Sequence, residues 1–152
     1  MNLSKKNRYA LWVLTPNGIN IAEKITDGLN SDCNVFVSDK LPKVDCHFSI
    51  FQSLSENVTN AFNKYDGHVF IMSIGIVVRI IAPLIRSKLE DPAIVVVDDR
   101  GKHVVSLLSG HIGGANDLAL DIAEIIRANP VITTATDVNK IVAVDVLAKE
   151  KK

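Results

Sequence analysis

Ile94-Val-Val-Val-Asp-Asp-Arg-Gly-Lys-His-Val-Val-Ser-Leu-Leu108 is the stretch on which the fold turns. Ile94 to Val97 are four consecutive β-branched residues and read as a strand buried on both faces. Asp98-Asp99-Arg100-Gly101-Lys102 has the composition of a hairpin turn, with Gly101 able to take positive φ. His103 to Leu108 is then the strand returning antiparallel to the first. Ser109-Gly-His-Ile-Gly-Gly-Ala-Asn116 follows, a glycine-rich turn opening a helix from about Asn116 to Arg127.

Outward from this hairpin, strand and helix alternate. Tyr9 to Thr15 is an apolar run ending in Pro16-Asn17-Gly18, which reads as strand and turn. Ile19 to Leu29 carries apolar residues at helical spacing, with Asn17 as the expected N-cap. Cys33 to Val37 reads as a shorter strand, and His47 to Phe51 as a weak strand after a polar stretch. Ser53 or Ser55 opens a helix to Tyr65, and Ser53 with Glu56 has capping-box spacing. His68 to Met72 is a buried-type strand. Ser73-Ile74-Gly75 leads from it into a helix from about Ile76 to Ser87. Pro130 to Thr134 gives a last strand, Val142 to Lys149 a short closing helix, and Lys149 to Lys152 a solvated tail. The order predicts an α/β fold: a three-layer α/β/α open sheet, mostly parallel with one antiparallel hairpin, as a single domain over residues 1–148.

Composition narrows the function. The 152 residues are 47% hydrophobic and 22% charged, which excludes disorder and low-complexity scaffolds. Seventeen basic residues balance seventeen acidic ones, so a general nucleic-acid binder is not expected. Cys33 and Cys46 are too few for a disulfide framework or a zinc site. The run from Ile74 to Ile85 is broken by Arg79 and Pro83 and falls short of the roughly 20 residues that span a bilayer. The expectation is a soluble cytoplasmic protein with no membrane partner.

Ligands of open α/β sheets collect at the carboxyl ends of the parallel strands. That rule selects the loops Thr15–Gly18, Ser73–Gly75, Ser109–Asn116 and Thr133–Asn139. In the third, Gly110, Gly113 and Gly114 allow close backbone approach and leave amides at a helix start, an anion site. His111 among them has a pKa suited to acid–base work. A tight strand-to-helix turn with a hydrogen-bonded histidine fits the same pattern. Thr133, Thr134, Thr136 and Asp137 offer hydroxyls and a carboxylate, or simply strand residues and a helix cap. Arg79, alone on an apolar helix, either reaches solvent, pairs with Asp98 or Asp99, or meets an anionic ligand. His47, His68 and His103 have no companion at metal-ligand spacing and read as structural. No Walker A loop, G-x-G-x-x-G fingerprint or Gly-x-Ser-x-Gly elbow is present, so nucleotide binding is a weak alternative and a serine hydrolase is unsupported.

Four motifs in order are more specific: Gly75-Ile-Val-Val-Arg-Ile-Ile-Ala-Pro-Leu84, Asp91-Pro-Ala-Ile-Val-Val-Val-Asp-Asp99, Leu108-Ser-Gly-His-Ile-Gly-Gly-Ala-Asn116 and Pro130-Val-Ile-Thr-Thr-Ala-Thr-Asp137. Together they resemble the cobalamin-biosynthesis G family (CbiG), the cobalt-precorrin-5A hydrolases of the anaerobic vitamin B12 pathway. Residues 1–70 fit the family's looser N-terminal part. The resemblance implies opening of the δ-lactone of a cobalt-bound macrocycle, with loss of the bridging carbon and its methyl as acetaldehyde. It implies no cofactor of the protein's own and no protein-bound metal, because the cobalt arrives in the substrate. On that chemistry His111 is the expected base, oriented by Asp137 or Thr134, with the Gly113 and Gly114 amides as oxyanion donors. Axial contact of His111 with the substrate's cobalt is a competing role. Ser73, Gly75, Arg79, Ser109, Gly110, Asn116, Thr133 and Thr136 complete the expected binding set.

Family members continue into a further C-terminal domain after the threonine motif, whereas this chain ends at Lys152. The resemblance therefore implies a separate protein carrying that domain, or a fragment. The alternative function is a non-catalytic subunit that binds or carries corrinoid intermediates, and a homodimer is a further possibility.

Overall fold

The apolar run from Tyr9 becomes the centre of a seven-stranded sheet, because a strand with no polar side chain to expose must be flanked on both edges and both faces. The computed structural model describes residues 5–42 and 47–135. In chain order the elements are β1 (Arg8–Val13), α1 (Pro16–Gly28), β2 (Asp32–Ser38), β3 (Ser49–Phe51), α2 (Leu54–Ala61), β4 (Gly67–Ile71), α3 (Ile74–Ile81), β5 (Ala93–Val97), β6 (His103–Leu108), α4 (Ala115–Ile126) and β7 (Asn129–Val131). The strand order is β3-β2-β1-β4-β5-β6-β7. Strands β1 to β5 are parallel, β6 runs antiparallel to β5, and β7 lies parallel to β6.

Alternate side chains of each strand enter different cores. On one face Leu11, Val13, Val69, Ile71, Val95 and Val97 pack against α1 and α4 through residues such as Ile25 and Ile122. On the other, Ala10, Trp12, Phe70 and Val96 pack against α2 and α3 through Val58, Val77 and Ile81. Both faces are covered over β4 and β5, which explains why their sequences are unbroken apolar runs.

His68 sits fully buried in the second core. Trp12 Nε1 donates to His68 Nδ1 at 3.1 Å, so the ring's proton lies on Nε2, which donates to the Phe62 carbonyl at 3.0 Å. Phe62 and Phe70 stack beside the ring. Burial pushes the His68 pKa down to about 4, offset only in part by the Phe62 carbonyl. It is a structural histidine, as its sequence setting suggests. Cys33 is half-buried, and burial with the neighbouring Asp32 pushes its thiol up to about 11, which keeps it protonated.

Several boundaries differ from the sequence expectation, for local reasons. Helix α1 starts at Pro16 and is capped by Thr15, not Asn17: the Thr15 hydroxyl accepts from the Gly18 amide at 3.0 Å. Pro at the first helical position has no N–H to leave unsatisfied. Ser53 caps α2, accepting from the Glu56 amide at 3.3 Å, and the helix tightens into a 3-10 turn over Phe62–Lys64 instead of running to Tyr65. Helix α3 begins two residues early and ends at Ile81 in a 3-10 turn, Ala82–Leu84, because Pro83 cannot continue an α-helix. Strand β7 is shorter than expected. The closing helix at Val142–Lys149, and Cys46, lie outside the described residues.

The β5–β6 hairpin forms as its sequence predicts, with Gly101 at φ +64° in the turn. Val97 pairs with Val104 and Ile94 with Leu108. Leu108 therefore ends at the edge of the sheet where β1, β4 and β5 begin, and β7, parallel to β6, leaves at that same edge.

Candidate functional site

The hairpin divides the expected site in two. Thr15 and Ser73–Gly75 stand at the carboxyl edge of the parallel strands, but Ser109–Asn116 and Thr133–Thr134 stand at the opposite, amino edge. The expectation that all four loops border one crevice is thus overturned, since a strand that turns back delivers its loop to the other side. The five residues of β5 put about 16 Å between the edges.

At the carboxyl edge, the hairpin's carboxylates are engaged by nearby groups. Asp98 Oδ1 accepts from the amides of His103 and Lys102 at 2.6 and 2.8 Å, and Oδ2 from the Arg100 amide at 3.1 Å. Partial burial would raise its pKa, but these amides outweigh that and hold it below the usual carboxylate range. Asp99 accepts from the Thr15 hydroxyl and from Asn17. Arg79 pairs with neither aspartate; it is exposed in the last turn of α3. Beside Ser73 lies an apolar cavity of about 500 Å³ walled by Met72, Val96, Val105 and Val131.

At the amino edge, the glycine loop is tightly folded. The Ala115 amide donates to the Ser109 carbonyl at 3.1 Å, and the Asn116 amide to the Gly110 carbonyl at 3.0 Å. The first amides of α4 are therefore taken by the loop, which corrects the expectation of a helix start wholly open to an anion. Ser109 holds a left-handed backbone at φ +57°, unusual for a residue with a side chain. Its hydroxyl donates to the Asp91 carbonyl at 3.1 Å and helps fix that conformation. A methyl group on Gly113 would lie 2.4 Å from the Ser109 Cβ, and Gly114 has φ +85°. Close approach dictates the first glycine and backbone handedness the second.

Asn116 locks the loop from beneath. It is buried, accepts from the Ser106 hydroxyl at 2.7 Å and donates to the Thr134 hydroxyl at 2.9 Å. Ser109, Asn116 and Thr134 thus join β5, β6 and the exit of β7 around the loop. His111 projects from this fixed loop with its ring exposed. Thr133 lies at the same edge, whereas Thr136 and Asp137 are outside the described residues.

Gly113 and Gly114 form part of the wall of a polar cavity of about 660 Å³. Five carboxylates line it: Asp66, Glu90, Asp91, Asp117 and Asp121. Asp91 is buried and accepts from the Arg86 amide through both oxygens, at 3.0 and 3.1 Å. Asp66 accepts from the Arg8 amide at 2.8 Å. Burial raises the Tyr9 phenol pKa, and Asp66 and Asp121 raise it further, against a hydrogen bond from Asn7. Among the described residues no group of His, Cys, Asp and Glu is placed to hold a metal ion. Sequence reading did not single out these carboxylates as site residues. The available signal was Asp117 and Asp121, four residues apart at the start of α4 and so on one helix face.

These features define an open, doubly wound α/β domain whose histidine-bearing glycine loop stands beside a carboxylate-lined cavity. A family model described as cobalamin synthesis G N-terminal matches residues 56–137, and the chain belongs to that family. It is 45% identical to a Salmonella typhimurium protein named cobalt-precorrin-5A hydrolase, covering 97% of this chain and 41% of the relative. A Priestia megaterium protein of the same name is 40% identical, covering 97% of this chain and 40% of the relative. Among solved structures, a Sulfolobus solfataricus protein described as a cobalamin biosynthesis protein G homolog superposes with a TM-score of 0.61 at 28% identity. That match covers 84% of this chain and 36% of the other. The chain therefore spans about two fifths of the length of its curated relatives. No helix among the described residues is long and apolar enough to cross a membrane.

Proposed function

We propose that this chain supplies the glycine-loop part of a hydrolase that opens the δ-lactone of cobalt-precorrin-5A, giving cobalt-precorrin-5B and acetaldehyde. The observation that carries this reading is similarity along almost the whole chain to two proteins bearing that name. The chain spans about two fifths of those relatives, and in this reading a second domain, joined to it or supplied as a separate protein, completes the enzyme.

The loop suits the first step. Water adds to the lactone carbonyl as the acyl C–O bond breaks. His111 takes the proton from that water and returns it to the departing alkoxide oxygen, and the Gly113 and Gly114 amides receive the oxyanion of the tetrahedral intermediate. Asp137 is the group expected to orient the imidazole. The lactone is an uncharged ester, so Glu90, Asp117 and Asp121 beside it can act as acid–base groups without having to receive an anion. The macrocycle's own carboxylates then face away from this cavity, towards cations such as Arg79 and towards the second domain. Gly110, Thr133 and Thr136 remain candidates for contact at this edge, with Ser109, Asn116 and Thr134 holding the loop. Ser73 and Gly75 stand at the opposite edge, about 16 Å across the sheet, and take no part in this reading.

Acetaldehyde release from cobalt-precorrin-5A tests the proposal. The chain is assayed alone and with the remaining part of the Salmonella typhimurium relative supplied as a second polypeptide. Release in the mixture is expected; no release in either case defeats the proposal.

A further inference from the structure

An apolar hollow that the proposed chemistry does not use lies on the sheet face opposite α4. Val96 pairs with Val105 and Val105 with Val131, so the three valines stand in one row across β5, β6 and β7. Alternation sends Val97, Val104 and Ser106 to the α4 face instead, where Ser106 bonds Asn116. The row lines the cavity of about 500 Å³ together with Met72, Ser73 and Ile74, so the apolar surface is continuous. Val105, Leu107 and Val131 are left only partly buried, whereas strands of an α/β sheet are normally covered on both faces. Asp98 and Asp99 stand at the rim, and the described lining holds no lysine or arginine.

We propose that residues 138–149 of this same chain occupy the hollow, and that their seating holds Asp137 at the amino edge beside the glycine loop. The hold on Asp137 rests on the hydrolase reading above; the seating does not. The course of the chain, its apolar pattern and its charge select this occupant. Strand β7 contributes Val131 to the hollow and leaves at the amino edge, where Thr134 is tied to Asn116. The residues that follow therefore set out from one end of the hollow. Asp145 and Lys149, four apart, share one face of the helix expected over Val142–Lys149, which puts Ala143, Val144, Val146 and Leu147 on the other. Eight helical residues are about 12 Å long, enough to cross most of the roughly 16 Å between the sheet edges. A segment crossing in that direction carries Lys149, Lys151 and Lys152 towards Asp98 and Asp99. Asp137 then belongs to a short stretch held at both ends, by Thr134 and by the seated segment.

Methyl NMR of the intact chain, with isoleucine, leucine and valine labelled, tests the seating. Nuclear Overhauser contacts are expected from Val144, Val146 or Leu147 to Val105 and Val131. Their absence overturns the proposal. So do contacts that arise only between differently labelled copies, which would make a second molecule's segment the occupant.

Val144→Glu combined with Leu147→Glu is expected to abolish these contacts, while Leu120→Glu, at an exposed position on the α4 face, leaves them intact. Contacts that persist in the double variant overturn the seating. In the mixture with the second polypeptide, the double variant is expected to lower kcat for acetaldehyde release at least about tenfold, with KM within about twofold, because Asp137 has lost its anchor. An unchanged kcat overturns the hold on Asp137 and leaves the proposed function standing. No acetaldehyde from the unaltered mixture defeats the proposed function, and the NMR contacts then decide the seating by themselves.

Discussion

His68 lies in the core between β4 and α2 with both ring nitrogens engaged, whereas His111 stands exposed on a loop whose backbone is fixed by other residues. In the first region the ring is part of the packing: it satisfies the Trp12 indole and the Phe62 carbonyl, and burial denies it a proton. In the second, Ser109, Gly113 and Asn116 fix the backbone and the histidine side chain stands at the surface. The contrast teaches that one residue type is packed as part of the core in one place and carried at the surface on a fixed loop in another.

Four measurements would break or sharpen this contrast. The largest effect is expected from His111→Ala in acetaldehyde release, a loss of about 10²–10⁴-fold. Unfolding by urea should move by no more than about 0.5 kcal/mol, as for other exposed positions; full turnover would strip His111 of its role. His68→Ala should cost about 4 kcal/mol in urea unfolding, because it opens a cavity and leaves the buried Trp12 N–H without an acceptor.

The same region should make the fold acid-sensitive. The His68 pKa falls from 6.5 in the unfolded chain to about 4 in the folded one. Between those values the unfolded chain binds more protons, so stability drops as pH is lowered from about 6.5 to 4. The loss is roughly 3 kcal/mol at the lower end. Urea midpoints across that range measure it, and a flat profile would contradict the assigned burial. Gly114→Ala, which forces a side chain into left-handed backbone, should cost about 1 kcal/mol by the same method, less than His68→Ala or acid.

Much of the molecule was legible from local chemistry. The runs at Tyr9, His68 and Ile94 became the central strands because residues with nothing polar to expose are confined to covered positions. The Asp98–Lys102 turn and the Ser53 cap formed because their side chains satisfy adjacent backbone amides. Thr15 displaced Asn17 as a cap because the helix could begin on Pro16, a difference of two residues that periodicity does not resolve. The cavity carboxylates were invisible for another reason: Asp66, Glu90 and Asp117 belong to three separate segments of the chain, and only sheet pairing brings them together.

Sequence alone thus determined the α/β layering, the hairpin and the His111 glycine loop, since each depends on contacts within a few residues or on the simple need to bury apolar runs. The tertiary structure decided which edge of the sheet receives that loop, and therefore which residues can share a ligand with it. That choice depends on strand direction. One antiparallel return sends Ser109–Asn116 to the amino edge and leaves Ser73 and Gly75 at the other, although nothing in either segment's own residues records the separation.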